Sequence, residues 1–254
     1  GFSVAPVSRR SLPGMIQVKN YTQTPGDQIL LHLAEEPDRG KANDLGESYL
    51  ESSAHLVEVL SKRFQRVIYM SSNVVYGDEN DNLCAVDMPV FETDLYSKLK
   101  IRNERRVIDS GGCVVRLANL FGVGMSTNNV LSDIIAQIPG EGPLRVRDDT
   151  PIRDFLSVSN TVSALSQIVK RDIAGVVNVG SGIATSINTL AKLMLVNASQ
   201  KNREIIATKP SSRSSKIVLD ISETVKAIDW VPGPSLKDQL KKYLEARRLI
   251  NGKT

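Results

Sequence analysis

Short apolar runs alternate with amphipathic helical patterns through the first half of the chain, and no other feature limits its folding as strongly. Apolar runs at residues 29–34, 66–70 and 113–120 are separated by helical patterns that start near residue 44 and span residues 94–110. Strands joined through helices pair in parallel, because the crossover helix returns the chain to the end of the sheet where the previous strand began. The alternation therefore predicts an α/β fold with a doubly wound parallel sheet.

After Gly122 the pattern changes to shorter helices and isolated apolar runs. Ser186 and Ser235 each precede a helical pattern and suit the N-cap position, where a hydroxyl accepts a hydrogen bond from a free backbone N–H. We therefore expect a second, smaller α+β lobe in this half. Two weaker runs, at residues 2–7 and 15–18, predict further strands near the start.

The composition of the 254 residues excludes several classes of protein. Hydrophobic residues make up 41% and charged residues 24%, as in an ordinary folded chain. Two cysteines and two histidines supply neither a disulfide framework nor a zinc-ligand cluster. No apolar run approaches the roughly 18 residues of a membrane span, and the net charge of +4 comes without an aromatic and basic platform for nucleic acid. We expect a cytoplasmic protein with no metal, no membrane contact and no nucleic-acid partner.

Candidate chemistry begins at Tyr96 and Lys100, which stand four residues apart on a predicted helix and so share one face. An ammonium beside a phenol favours the phenolate and helps it exchange a proton. This spacing is common on its own, since chance gives it in roughly one chain of this length in two. The predicted strand upstream ends in the hydroxyls of Ser71 and Ser72, at the carboxyl end where open α/β sheets place their sites.

Three more segments follow in order: Arg-Leu-Ala-Asn-Leu-Phe-Gly at 116–122, Pro-Ile-Arg-Asp-Phe at 151–155 and Asn-Val-Gly-Ser-Gly at 178–182. With the strand and its serines at 67–77, this series resembles the extended short-chain dehydrogenase/reductase family, the NAD(P)-dependent epimerases, dehydratases and ketoreductases of nucleotide sugars. The resemblance extends to about Tyr243. It implies a Rossmann-like cofactor domain over residues 1–122 with parts of 155–180, and a substrate lobe formed by 123–154 and 181–254.

The resemblance also implies roles for single residues. Ser72 corresponds to the hydroxyl that hydrogen-bonds the substrate oxygen, Tyr96 to the general acid/base, and Lys100 to the residue that holds the nicotinamide ribose. The alternatives are a strand-end cap for Ser72 and an ordinary half-buried helix residue for Tyr96. The residues that the resemblance places at a nucleotide-diphosphate sugar are Ser72, Asn119, Asn129, Arg153 and Arg213. For Arg213 a mobile loop position is the alternative to a phosphate clamp.

Family members open with a strand, a Gly-x-x-Gly-x-x-Gly turn and a helix, and the turn binds the cofactor pyrophosphate. This sequence contains no such turn, so we expect about thirty residues to precede it, the size of one strand-turn-helix unit. Ser8-Arg9-Arg10 would follow the family's second strand, where cations suit the 2′-phosphate of NADP better than the hydroxyls of NAD. The cofactor-binding candidates are Ser8, Arg9, Arg10, Leu33, Ala34, Ser71, Tyr96, Lys100 and Leu117.

The reaction type follows from the residues after Ser72. Related 4,6-dehydratases carry an Asp and a Glu where this chain has Asn73 and Val74, which cannot transfer the proton of a dehydration. A 4-ketoreductase or a 4-epimerase remains, and the basic turn after residue 8 favours the reductase. The alternative class is a non-catalytic NADP-binding sensor or scaffold of the same fold. The family resemblance further implies a homodimer that pairs through the helices at 44–62 and 94–110.

Overall fold

The chain divides into two compact units, and each unit consists of three stretches of sequence. The first unit consists of Gly1–Ser71, Asp94–Val114 and Ala174–Val176. The second consists of Ser72–Thr93, Val115–Ile173 and Val177–Thr254. The computed structural model describes residues 3–251, so Phe2, in the first predicted strand, and the side chains beyond Arg247 lie outside the described residues. The lobe boundaries expected from the sequence stay a prediction.

The first unit contains the alternating elements that the sequence predicts. Its strands are β1 (Val7–Ser8), β2 (Ile16–Gln17), β3 (Ile29–His32) and β4 (Arg66–Ser72), and its helices are α1 (Arg39–Asp44), α2 (Gly46–Arg63) and α3 (Leu95–Asp109). β5 (Cys113–Leu117) and β10 (Gly175–Val179) begin in this unit. β10, β5, β4 and β3 form a four-stranded sheet in that order. β3 and β4 pair in parallel, with Ile29 opposite Arg66.

Burial on both faces explains why β4 reads as an almost continuous apolar run. Val67, Ile68 and Tyr69 are each at most 3% exposed. The core of this unit packs α2 and α3 against the sheet, and its buried members are Val57, Leu60, Phe64, Val67, Tyr69, Val107 and Val114. Gly112 lets the turn after α3 approach the sheet closely, because a Cβ there would lie 2.6 Å from the Val67 carbonyl oxygen.

The second unit is built from short strands and five helices within the described residues. Its helices are α4 (Val130–Gln137), α5 (Val158–Lys170), α6 (Ile187–Asn197), α7 (Ser222–Ile228) and α8 (Leu236–Asn251). Its own strands are β6 (Asn119–Phe121), β7 (Leu144–Val146), β8 (Ile152–Arg153), β9 (Phe155–Ser157), β11 (Thr185–Ser186), β12 (Ile205–Ala207) and β13 (Lys216–Ile217). β6 pairs with β9 and β7 with β12, both in parallel. β8 lies between β11 and β13.

The predicted class is confirmed, since the structure is α/β with parallel sheets. Three element predictions need correction. The run 113–120 is two strands, because the Ala118 N–H donates to Val179 and the Asn119 N–H to Asp154. The run 2–7 is described from residue 3 onward, and there only Val7 lies in a strand, since residues 3–6 are exposed and among them only Pro6 accepts a backbone bond from β2. The helix expected from residue 44 begins at Gly46, after the separate helix α1.

Both predicted caps are present. The Ser186 hydroxyl accepts from the Thr189 N–H at 3.0 Å, and the Ser235 hydroxyl accepts from the Asp238 N–H at 3.3 Å. These bonds satisfy N–H groups that have no partner inside the first helical turn. None of the helices described is long and apolar enough to cross a membrane.

Candidate active site

Tyr96 and Lys100 lie together on α3, as their spacing predicts. The helix starts at a capping box, in which the Asp94 carboxylate accepts from the Ser97 N–H and the Ser97 hydroxyl accepts from the Asp94 N–H. The Tyr96 N–H, also free in this first turn, donates to Asn43 Oδ1 at 2.8 Å. Lys100 Nζ lies 5.5 Å from the centroid of the Tyr96 ring, and both residues are buried. The pair is therefore fixed by helix geometry and by packing.

Lys100 is held by two acceptors in the first unit. Its ammonium donates to Glu35 Oε2 at 2.6 Å and to the Met70 carbonyl at 2.9 Å. An ammonium has three N–H groups, so one is left over for a further acceptor. The sequence offered no role for Glu35, which stands in a charged stretch between β3 and α1. The one signal that it gave was position, because Glu35 follows the carboxyl end of a strand.

The Glu35 side chain is 7% exposed, and its carboxylate accepts hydrogen bonds from four donors. Ser53 donates to Oε1 at 2.8 Å and Asn103 donates to Oε1 at 2.9 Å, while Tyr69 donates to Oε2 at 2.8 Å beside Lys100. Burial raises the pKa of the carboxyl, but the charge and the hydrogen bond of Lys100, together with the neighbouring His32, outweigh burial and hold the pKa of Glu35 well below its ordinary value. Glu35 therefore carries a charge at neutral pH.

The same environment acts on the groups around Glu35. Burial lowers the pKa of the Lys100 ammonium, yet the charge and the hydrogen bond of Glu35, together with Tyr96 and Tyr49, outweigh burial and raise that pKa. Burial and the Glu35 charge both raise the pKa of Tyr69 well above its ordinary value. His32 stacks on Tyr69 with ring centroids 5.8 Å apart, and its Nε2 lies 3.9 Å from Glu35 Oε1, beyond hydrogen-bond distance. The pair of Glu35 and Lys100 is a buried ion pair among phenols.

The two serines at the end of β4 differ in their contacts. Ser71 is buried and its hydroxyl donates to the Glu104 carboxylate. Ser72 is the first residue of the second unit, and its hydroxyl accepts from the Val74 N–H at 3.4 Å, capping the 3₁₀ turn Asn73–Tyr76. The capping alternative for Ser72 thus describes its contact in the structure. That contact leaves the hydroxyl hydrogen free to donate to a ligand.

The remaining cofactor candidates of the first unit lie near strand ends. Ser8 ends β1 and accepts from the Arg10 N–H at 3.0 Å, and the Arg9 guanidinium lies 5.2 Å from the Tyr21 ring centroid. Leu33 follows β3 and is 66% exposed, an apolar side chain open to a ligand. Ala34 and Leu117 are partly buried. The free Lys100 N–H suits a ligand hydroxyl, and the exposed Leu33 suits an apolar ring.

Arg153 and Arg213 are brought together in the second unit. Arg153 donates to the Ser215 hydroxyl at 2.7 Å, and that hydroxyl donates to Asp78 at 2.7 Å. Arg213 binds Asp78 through both terminal nitrogens, at 2.9 and 2.7 Å, and Glu79 at 2.7 Å. The hydrogen bonds from Arg213 lower the pKa of Asp78. Arg213 remains about half exposed, so an anion can reach its guanidinium from solvent.

The two asparagine candidates have backbone roles. Asn119 donates through its side chain to the Asp154 carbonyl at 3.1 Å. Asn129 caps α4, accepting from the Ser132 N–H at 3.0 Å. Asp154 is fully buried and accepts from Ser181 and from the Gly182 N–H. It stabilises the segment at 178–182 from within the fold.

Chemically, the first unit holds a buried phenol beside a charged ammonium, and the second holds two guanidiniums in reach of one carboxylate. The first arrangement suits proton transfer, and the second suits a phosphate group, which planar forks bind bidentately. Among the residues that the structure describes, no group of three His, Cys, Asp or Glu could hold a metal ion.

The chain belongs to the NAD dependent epimerase/dehydratase family, whose model matches residues 17–180, more than half of the sequence. The resemblance inferred from the motifs is thereby confirmed. Its relatives include a dTDP-6-deoxy-L-talose 4-dehydrogenase (NAD(P)(+)) and a dTDP-L-rhamnose 4-epimerase.

Two curated relatives illustrate the range of that family. The low-salt glycan biosynthesis protein Agl12 of Haloferax volcanii is 24% identical over 263 residues, which cover 92% of this chain and 84% of that protein. The dTDP-6-deoxy-L-talose 4-dehydrogenase (NAD(P)(+)) of Kitasatospora kifunensis is 26% identical over 175 residues, covering 63% of this chain and 54% of that enzyme. The chain thus spans about half the length of the second relative.

Solved structures share the fold. UDP-glucose 4-epimerase from Thermotoga maritima, solved with UDP-glucose, has a TM-score of 0.85 at 18% identity and covers 98% of this chain and 92% of its own. RMD from Pseudomonas aeruginosa, solved with NADPH, has a TM-score of 0.79 at 23% identity and covers 88% of this chain and 84% of its own. These likenesses establish a Rossmann-like architecture for this chain.

Proposed function

We propose that this protein is an NADP-dependent nucleotide-sugar oxidoreductase, with reduction of a 4-keto sugar as its reaction. The observation that carries the proposal is the buried pair of Tyr96 and Lys100, whose ammonium lies 5.5 Å from the phenol ring. A non-catalytic sensor or scaffold of the same fold would not need Ser72, Tyr96 and Lys100 together.

The proposed chemistry needs a proton from the protein and a hydride from the cofactor, and bound NADPH supplies the hydride from its nicotinamide C4. Tyr96 donates its phenolic proton to the carbonyl oxygen at C4 of the sugar, so that the ketone becomes an alcohol. Lys100 stabilises the phenolate that Tyr96 leaves behind and donates its free N–H to a ribose hydroxyl. Ser72 donates a hydrogen bond to the same sugar oxygen, as the family resemblance implies.

Arg153 and Arg213 are proposed to bind the diphosphate of the substrate, and Asn119 and Asn129 to line the same ligand. Two guanidiniums that converge on Asp78 are set for an anion of higher charge, since phosphate oxygens form the same forked pair as a carboxylate. Binding would then exchange the Asp78 and Glu79 contacts of Arg213 for contacts to phosphate. This explains why a clamp residue is ion-paired yet half exposed.

The preference for NADP rests on Arg9 and Arg10, which follow the end of β1. The stacking of Arg9 on Tyr21 directs one guanidinium to a defined position.

Homodimerisation through α2 and α3 completes the proposal. Both cysteines are free and buried, which suits the reducing cytoplasm expected from the sequence.

The test is an assay of the full-length protein with NADPH and a dTDP- or UDP-linked 4-keto sugar. We expect NADPH to be consumed while the sugar gains one hydride and one proton, read by mass spectrometry. A protein that retains NAD and interconverts UDP-glucose with its C4 epimer is a 4-epimerase, and the proposed reduction is then wrong. A protein that binds NADPH and turns over neither substrate is a sensor or scaffold.

A further inference from the structure

We propose that Glu35 is a positioning residue for Lys100, holding the ammonium charged and in place beside Tyr96. The inference rests on the proposed function, because it concerns the same catalytic pair. It adds a residue from outside the Tyr-x-x-x-Lys segment, because Glu35 lies 61 positions before Tyr96 in the sequence. The support is geometric and comes from the arrangement of donors around one buried carboxylate.

The Glu35 carboxylate is too enclosed to contact a ligand itself. Its side chain is 7% exposed, and both oxygens already accept hydrogen bonds from protein donors, including Ser53, Asn103 and Tyr69. Ser53 also accepts from Asn103 at 2.9 Å, so the donors are fixed relative to each other. A carboxylate held by several donors keeps one orientation. In that orientation its Oε2 atom accepts from Lys100.

Lys100 in turn has little freedom. Glu35 and the Met70 carbonyl fix two of its N–H groups, which orients the third. Without a counter-charge, an ammonium that is 7% exposed would lose its proton readily, because burial disfavours the charged form. A neutral amine would neither stabilise a phenolate nor hold a ribose as firmly. Glu35 thus keeps Lys100 in the protonation state that the chemistry requires.

Several other titratable groups face this pair. His32 approaches from β3 at 3.9 Å from Glu35 Oε1, and Tyr69 on β4 contacts both Glu35 and Lys100. Tyr49 on α2 and Tyr96 on α3 both interact electrostatically with the pair. Glu35 is the anion in direct contact with Lys100, so removal of its charge has the largest effect on the ammonium.

The test is the substitution Glu35→Gln, which removes the charge and keeps the shape. We expect the alkaline limb of the kcat–pH profile to move to lower pH by about one to three pH units, because Lys100 then deprotonates more easily. The midpoint of the Lys100 titration, read from its Cε chemical shift by NMR, should move to lower pH by the same amount, and this measurement needs no turnover. Glu47→Gln is the matched control. Glu47 forms the same kind of carboxylate–ammonium pair, with Lys98 at 2.7 Å, but at the surface.

The outcomes separate the two proposals. A wild-type protein without turnover contradicts the proposed function, whereas an active wild type whose alkaline limb and Lys100 titration are unmoved by Glu35→Gln overturns the role of Glu35. If circular dichroism shows that Glu35→Gln fails to fold, Glu35→Asp takes its place. The shorter side chain weakens the pair without removing the charge, so we expect a smaller shift in the same direction, and an unmoved limb again contradicts the role.

Discussion

At the residue scale, the proposed preference for NADP depends on two arginines, Arg9 and Arg10. Replacing both Arg9 and Arg10 by Ala should weaken NADPH binding by about a hundredfold or more, because each charge-assisted hydrogen bond to the 2′-phosphate contributes about 1.5 to 3 kcal/mol. NADH binding should stay unchanged, since NADH lacks that phosphate. Titration calorimetry with both cofactors measures the difference.

Lys19→Ala provides the comparison for this experiment, because Lys19 is another exposed cation of the first unit. Its loss should leave the affinity for NADPH as it is. If the double variant and Lys19→Ala lower NADPH affinity equally, general charge attraction and not 2′-phosphate recognition explains the effect.

Single residues also show what the sequence could and could not predict. Tyr96 and Lys100 were predictable, because four residues on a helix fix a shared face whatever the surroundings. Glu35 was not, since it stands beside Glu36, Pro37 and Asp38 in a stretch typical of a solvated loop. Its burial depends on donors from α2, β4 and α3 that are distant in sequence. No local pattern contains that information.

At the scale of elements, the start of α3 determines where the proposed catalytic pair, Tyr96 and Lys100, lies. Burial raises the pKa of the Asp94 carboxyl, but hydrogen bonds from Ser97, Asn43 and Arg39 outweigh burial and lower the pKa to about 2. We expect Asp94→Ala to reduce the free energy of unfolding by about 1 kcal/mol at neutral pH through loss of the cap. Urea unfolding followed by circular dichroism measures this loss.

The pH dependence of that loss has a definite sign. A carboxyl whose pKa falls from 3.8 to about 2 on folding stabilises the fold above pH 4, and the contribution disappears as the pH falls toward 2. The stabilities of wild type and Asp94→Ala should therefore converge on acidification. Asp109→Asn is the control at the other end of the helix, and a difference between wild type and Asp94→Ala that persists unchanged at pH 2 would contradict the assignment.

Element boundaries were less predictable than element types. The caps Ser186 and Ser235 follow from local chemistry, and both are present. The end of β5 depends instead on long-range backbone bonds from Ala118 and Asn119, which direct the chain away from the strand. An apolar run by itself does not show where its hydrogen-bond partners change.

At the scale of the whole molecule, assembly remains a prediction. The sequence gives α3 a heavy positive charge, yet Lys98 and Arg102 pair with Glu47 and Glu51 of α2 in the structure. The cations are therefore offset within one chain, which removes part of the repulsion expected between two copies. We expect light scattering at micromolar concentration to give twice the chain mass, and a single-chain mass would contradict the homodimer.

The central claim is that Tyr96 donates the proton in a nucleotide-sugar reduction, and Tyr96→Phe tests it most directly. The substitution removes one oxygen from a buried ring, so the fold should be kept. With NADPH and a 4-keto nucleotide sugar, we expect kcat to fall by about a hundredfold or more, since general acid catalysis contributes about 10² to 10⁴ in rate. Undiminished turnover by a folded Tyr96→Phe variant would contradict the account.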